Sequence, residues 1–447
     1  MKNKNWLVLI LIVVIVLSAC GGKTPVPPTT GSISPTTGSG SPSAATPPAA
    51  DQITLDFWYA LSGGSGDAVK ELVNRFNASQ TGINVVAVYQ GSYAEAIAKI
   101  DAAIAGNTVP NVVQVGAAPL LGSSEAILPI TDFTHADTSF QLDQIIPAFL
   151  DYNTAGGTLW SMPFNNSMPV LYYNKDLFTA AGLDPEAPPQ NLDELLADAQ
   201  KLTLDPDHTG TPSQWGLNFR DDTQWYLSTL FLENGAQIVS PDENQVLYNS
   251  PEAVAMLQLW GDWITKYKVM PVNQHSEAQS DFLAGKLGMF IGSSALVTSL
   301  KAGASFNLGV AMFPAVGTSH VDPVGGGSLA IFSNKDTRLV QASWEFVKYM
   351  VSKDSQIYLA TQTGYLPIYK DAINWPEIQS LITTDPARKA AIQELQYAFA
   401  ITEFSALGDS DAALRKAVQQ IELGASTPQK ALDDAVTSVN QAILRYK

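Results

Sequence analysis

Cysteine is nearly absent from this 447-residue chain: Cys20 is the only one. No intrachain disulfide and no cysteine-built zinc site can form. The four histidines (His135, His208, His275 and His320) are far apart and show neither HExxH nor HxH spacing, which excludes the usual histidine metal motifs. Bases are also few, 25 against 42 acids, for a net charge of −17. That excess disfavours nucleic acid or an anionic membrane surface as partner. Charged residues make up only 15% of the chain and apolar ones 46%, so a large core can form and wholesale disorder is excluded.

Long apolar runs are missing except at the start, where Lys2 and Lys4 precede the stretch from Trp6 to Ala19. As a helix these fourteen residues would span about 21 Å, short of the roughly 30 Å hydrocarbon core. The stretch reads as the h-region of a signal peptide over residues 1–19. It ends Leu17-Ser18-Ala19-Cys20, which resembles a bacterial lipobox. That resemblance implies cleavage before Cys20 and acylation of it, leaving an extracytoplasmic protein anchored to the cell membrane by lipid. Losing Lys2 and Lys4 leaves 23 bases against 42 acids, so the lipid alone would hold the protein there. From Cys20 to Gln52 the chain is Pro-, Ser-, Thr- and Gly-rich, the composition of a tether.

The body over 53–447 opens with Ile53-Thr54-Leu55-Asp56-Phe57-Trp58, whose apolar–polar alternation predicts a strand. The glycine-rich Ser62–Gly66 then predicts a turn, and Val69, Leu72, Val73 and Phe76 a helix opening at Asp67. Strands at Ile83–Tyr89 and Val112–Val115 flank a second helical stripe of Tyr93, Ile97, Ile100 and Ile104. Strand–helix alternation is the grammar of a parallel α/β sheet. Further strands are expected at Val170–Tyr173, Gly288–Ile291 and Ser328–Phe332. Helices are expected from Pro251 to about Tyr267 and at Ser276–Leu283, Arg338–Met350, Ser355–Thr361, Ala387–Ala398, Ala413–Leu423 and Pro428–Tyr446.

Particular residues then carry a family resemblance. They are Phe57-Trp58, Gly91-Ser92-Tyr93, Pro163-Phe164-Asn165 with Ser167, Pro169 to Lys175, Gly325-Gly326, Thr363-Gly364-Tyr365-Leu366-Pro367 and Thr427-Pro428-Gln429. Over about 53–447 the chain resembles the extracellular solute-binding proteins of sugar-type ABC importers, in particular the glycerol-3-phosphate-binding branch. The resemblance implies an α/β, two-lobed, periplasmic-binding-protein-like fold with a hinge and an interlobe ligand cleft. The lobes are expected at about 53–160 plus 295–350, and about 161–294 plus 351–447. It also implies capture of a carbohydrate, polyol or glycerol-3-phosphate-like solute and delivery to a membrane permease, with no enzymatic activity, cofactor or metal. The alternatives are a ligand-sensing lipoprotein of the same fold and an exported glycoside hydrolase. Acids abound for the latter, but the chain has no Gly-x-Ser-x-Gly elbow and no P-loop.

By the resemblance, the ligand-binding residues are Tyr93, Ser167, Trp225, Ser293, Gly326 and Tyr365. The indole of Trp225 suits the apolar face of a glycerol or sugar ring. Two departures stand out. The family's glycerol-binding glutamate aligns with Ala117, and its phosphate-binding arginine aligns with Asp411, with Arg415 one helical turn further on. A phosphate calls for a charge-assisted partner, which an aspartate does not supply. Asp222 and Asp411 are therefore expected to accept hydrogen bonds from neutral hydroxyls.

Overall fold

The computed structural model describes residues 52–445, apart from 117, 119–120, 122–125, 208–209, 211, 222, 318–319 and 402–403. The expected signal peptide, Cys20, nearly all of the tether, Ala117 and Asp222 lie outside the described residues.

Two sheets organise the body. The first has five strands in the order Ile83–Tyr89, Ile53–Tyr59, Val112–Val115, Gly325–Ile331, Met162–Ser167. The first three run parallel, with Phe57 opposite Ala87 on one side and Val112 on the other. The alternation read from the sequence is real: Leu55, Phe57 and Tyr59 are buried. They join a core with Val69, Leu72, Val73 and Phe76 of the helix Gly63–Ser79 and with Phe346 and Val347 of the helix Thr337–Met350. The first helix begins four residues before the expected Asp67. Gly66 makes this possible, since a Cβ there would stand 2.4 Å from the carbonyl oxygen of Leu61.

The second sheet has the order Leu308–Met312, Pro169–Asn174, Leu287–Ser293, Trp215–Phe219. Both of its inner strands are buried at every residue. Strands covered on both faces read as apolar runs rather than alternations. One face carries the aromatic core of Phe219, Tyr226, Trp260 and Trp263, and the other packs Tyr172 and Phe290 against Phe282, Trp375 and Ile378.

The chain passes between the sheets in three places. Met162–Ser167 of the first sheet runs through Met168 straight into Pro169–Asn174 of the second. Residues 313–324 return from Leu308–Met312 to Gly325–Ile331. The third passage holds Tyr365 and Ile368 in the core under the first sheet, and Leu366, Ala372 and Trp375 in a core of the second. Two expected boundaries change. Residues 308–312, grouped with the first lobe from the sequence, pair antiparallel with Pro169–Asn174 in the second. The helix Lys353–Gln362, grouped with the second lobe, packs on Gly63–Ser79 of the first. Local patterning marks an apolar face but not which core receives it.

Candidate functional site

Where the passages meet the sheet ends, polar side chains gather around one glycine-rich strand. Tyr93 is placed by a capping box. The Ser92 N–H donates to Glu95 Oε2 at 2.7 Å, and the Glu95 N–H donates to Ser92 Oγ at 3.4 Å. The Ser92 N–H and the Ser92 hydroxyl, which also donates to Glu95 Oε2 at 2.9 Å, hold the Glu95 carboxyl below its ordinary range. Tyr93 Oη then accepts from Asn165 Nδ2 at 3.0 Å and from Gln114 Nε2 at 3.3 Å. Gln114 Nε2 also donates to Asn165 Oδ1 at 2.8 Å, while its Oε1 accepts the Ala60 N–H at 3.0 Å. The Tyr365 hydroxyl completes the group by bonding Asn165 and Tyr93. Burial pushes it well above the ordinary phenol value, and the nearby Arg220 guanidinium pulls it partly back.

Glycine makes this gathering sterically possible. A Cβ on Gly327 would lie 2.5 Å from Gln114 Nε2 and 2.7 Å from Tyr93 Oη. Gly326 adopts φ +105°, and a Cβ there would lie 2.1 Å from the Asn165 carbonyl oxygen. Gly325 meets the other lobe: a Cβ on it would be 2.6 Å from Cζ2 of Trp225. Trp225 is the third residue of the helix Thr223–Glu233, which packs with the second sheet's aromatic core. Its Nε1–H is buried without a hydrogen-bond partner, and so is Oδ1 of Asn166. Nδ2 of Asn166 donates to the Gly325 carbonyl at 3.4 Å. A donor and an acceptor, both unsatisfied, thus flank the same glycine at the contact between the lobes.

Five of the residues expected from the sequence come together here: Tyr93, Ser167, Trp225, Gly326 and Tyr365. Ser167 is buried and pairs with Gly325. Ser293 pairs with Pro169 at the end of its strand. Its Oγ accepts the Ala295 N–H at 3.2 Å, and its carbonyl accepts the Tyr172 hydroxyl at 2.7 Å, so the Ser293 proton is the part left to donate. Asp411 lies on the helix Leu407–Glu422, near enough to Tyr248 to act on it electrostatically. Arg415, a turn along, donates from Nη1 to the Asp221 carbonyl at 2.6 Å, next to the Arg220–Asp221 ion pair at 3.5 Å.

Gln114, Asn166 and Arg220 were not singled out from the sequence, and Asn165 entered only as part of the motif Pro163-Phe164-Asn165. A signal was there for Gln114 and the two asparagines. Gln114 interrupts the apolar run Val112–Val115, and Asn165-Asn166 interrupt the largely apolar stretch from Met162 to Tyr173, which the structure buries. Such polar groups persist in a core only when hydrogen-bonded. Among the described residues, no group of three or more His, Cys, Asp or Glu side chains is placed to hold a metal ion, and no helix is long and apolar enough to cross a membrane.

Comparison with known proteins matches this architecture. The family model described as bacterial extracellular solute-binding protein matches residues 71–390. The sn-glycerol-3-phosphate-binding periplasmic protein UgpB of Yersinia pseudotuberculosis is 30% identical over 410 residues, which covers 88% of this chain and 93% of that protein. The protein of the same name from Escherichia coli K12 is 30% identical over 417 residues, with the same coverage. Among solved structures, UgpB from Mycobacterium tuberculosis in complex with glycerophosphocholine superposes with a TM-score of 0.78 at 21% identity, covering 88% of this chain and 98% of that one. An ABC substrate-binding protein from Listeria monocytogenes in complex with cycloalternan gives 0.77 at 20% identity, covering 88% and 99%.

Proposed function

The chain belongs to the bacterial extracellular solute-binding protein family, and from that premise we propose that it captures a carbohydrate, polyol or glycerophosphate-like solute for an ABC importer. The solute enters between the two sheets. Trp225, on one lobe, offers its ring and its N–H. Tyr93, Ser167, Gly326 and Tyr365 face it from the other lobe and the passages between, with Ser293 at the end of the second sheet. The protein selects by hydrogen bonding and stacking, closes about its hinge, and delivers the solute to membrane permease subunits. It catalyses no reaction, and Cys20 carries the lipid that keeps it at the membrane.

The observation that carries this reading is the unpartnered pair at the lobe contact, the Trp225 N–H and the Asn166 carbonyl oxygen. A hydroxyl both accepts and donates, so one solute hydroxyl answers both groups. A phosphate oxygen answers only the first. Phosphate would instead draw on Arg220 and Arg415, the bases beside Asp221.

A thermal-shift panel tests the proposal, using sn-glycerol 3-phosphate, glycerophosphodiesters and neutral mono- and disaccharides. A solute at about 100 times its dissociation constant should add roughly 2.7 kcal/mol of stability. Stabilisation by a neutral saccharide alone assigns the site to hydroxyl recognition. Stabilisation by sn-glycerol 3-phosphate brings Arg220 and Arg415 into it. No response to any member of the panel would sink the reading.

A further inference from the structure

The second passage between the lobes, residues 313–324, carries a cluster of acids that solute capture does not use. Asp322 is fully buried, in the two-residue strand Asp322–Pro323 that pairs in parallel with Ala398–Phe399. Glu394, also fully buried, lies in the 3₁₀ turn just before that partner strand. Its Oε1 is 2.7 Å from His320 Nε2, and its Oε2 accepts the Phe313 N–H at 3.2 Å. Glu233 ends the helix Thr223–Glu233, whose first turn holds Trp225. Its Oε2 accepts the Val316 N–H at 2.7 Å and its Oε1 the Val321 N–H at 3.3 Å, with His320 Nε2 at 4.0 Å. The His320 ring stacks on Tyr397 with centroids 3.7 Å apart.

The charged groups facing these acids are one another and His320. Glu233 faces His320 and Glu394, Asp322 faces Glu394 and Glu233, and Glu394 faces His320 and Asp322. Both Asp322 carboxylate oxygens are buried with no donor in reach, and the acid closest in influence is Glu394, so only a proton shared between the two carboxyls would satisfy them. Three ionised carboxylates set this close would leave negative charge uncompensated where water is excluded. The arrangement therefore holds protons that the same acids would release in water. Burial pushes Glu233 up to about 7 and raises Glu394 and Asp322 as well.

The passage is fixed at its two ends to different sheets, while Glu233 holds it at Val316 and Val321, and Glu394 holds it at Phe313 and His320, from elements of the second lobe. The passage leaves this grip at Val324, which lies in the first sheet's core, so a hinge rotation pulls on the cluster from that end. We propose that Glu233, His320, Asp322 and Glu394 form a proton-binding site on the hinge, so that closing the lobes takes up a proton that opening releases. The inference goes beyond solute capture and does not depend on which solute is bound. The sign follows from the carboxyls. The closed state is favoured at acid pH and loses that advantage as pH rises through about 7, and below the ordinary carboxylate range both states hold the proton. One proton changes the closed-to-open ratio by at most about tenfold per pH unit inside that window.

The test needs no solute. Residues 49–447 form one compact unit, and the sole cysteine lies outside it. Exposed Asp101 and Lys201 sit on the helices Tyr93–Gly106 and Leu192–Leu202, which flank different sheets. Spin labels on D101C/K201C report the interlobe distance by pulsed dipolar spectroscopy between about pH 5 and pH 8. The expected result is growth of the short-distance population as pH falls. In E233Q, whose amide stays neutral, that population should persist at the alkaline end. E394Q provides a second variant, with circular dichroism confirming the fold of each. A wild-type distance distribution that is the same at both ends of the range overturns the proposal. So does a full wild-type pH response retained in both folded variants.

Discussion

Gly325→Ala isolates lobe closure from folding. Gly325 has an ordinary backbone conformation, so alanine there brings no strain of its own. Its methyl would stand 2.6 Å from Trp225 Cζ2 and 3.1 Å from Cε2 and Cη2. The indole must move off the strand, and because Gly325 and Trp225 stand on different lobes the contact is expected to open with the hinge. Overpacking of this kind costs about 1–3 kcal/mol. Because the cost falls on the closed form alone, solute affinity should drop by roughly 5- to 150-fold. The urea midpoint of unfolding should stay within experimental error of wild type. Gly326→Ala is the contrast: its φ of +105° and the Asn165 carbonyl 2.1 Å away put the strain inside the first sheet. Isothermal titration calorimetry with a solute from the panel reads affinity, and denaturation reads the fold. Unchanged affinity in Gly325→Ala would refute the idea that Trp225 and Gly325 meet on closure. So would a loss of stability as large as that of Gly326→Ala.

The same geometry yields other expectations. Tyr365→Phe removes a hydroxyl shared with Asn165 and Tyr93, and denaturant titration should show a loss of about 1–2 kcal/mol together with weaker solute binding. Glu422→Ala strands the Trp260 N–H, the Asn273 N–H and the His275 ring, which reach its carboxylate at 2.8, 2.7 and 2.7 Å. Unfolding should become easier by about 3–5 kcal/mol, visible as a lower urea midpoint. Gly364→Ala would place a methyl 1.9 Å from the Ser294 carbonyl oxygen, so a thermal melt should fall clearly below wild type and solute binding should weaken with it. Glu233 has a raised folded value of about 7 against an ordinary 4.5, so the folded state binds more protons across that window. Stability should therefore fall as pH rises through it, by up to about 3 kcal/mol, and Glu233→Gln should flatten the curve.

Much of the fold is legible in the chain because its signals are local. Alternation in Ile53–Tyr59, the capping box at Ser92, and Pro251 after the Ser250 cap each act within a few residues. The helix Thr223–Glu233 left no such trace. Nine of its residues are buried, so no periodic polar face exists to be read. The expected helix Ala387–Ala398 stops at Gln393, where the chain tightens into the 3₁₀ turn Glu394–Tyr397 and the short strand Ala398–Phe399. The Glu394 carboxylate that this turn delivers to Phe313 and His320 reaches partners some 80 residues away.

Sequence alone determined the α/β class and the order of most elements, and the resemblance named five residues that gather around the strand from Gly325 to Gly327. Each of these rests on short-range pattern or on resemblance carried by contiguous motifs. Tertiary structure decided the rest. It put Leu308–Met312 in the second sheet, gave Gln114 and Asn165 their partners, and drew three acids and a histidine together around one passage. Burial and hydrogen bonding between distant residues are properties of the closed chain path. Periodicity says only that a side chain faces a core, whereas the path through both sheets selects the core and the partner.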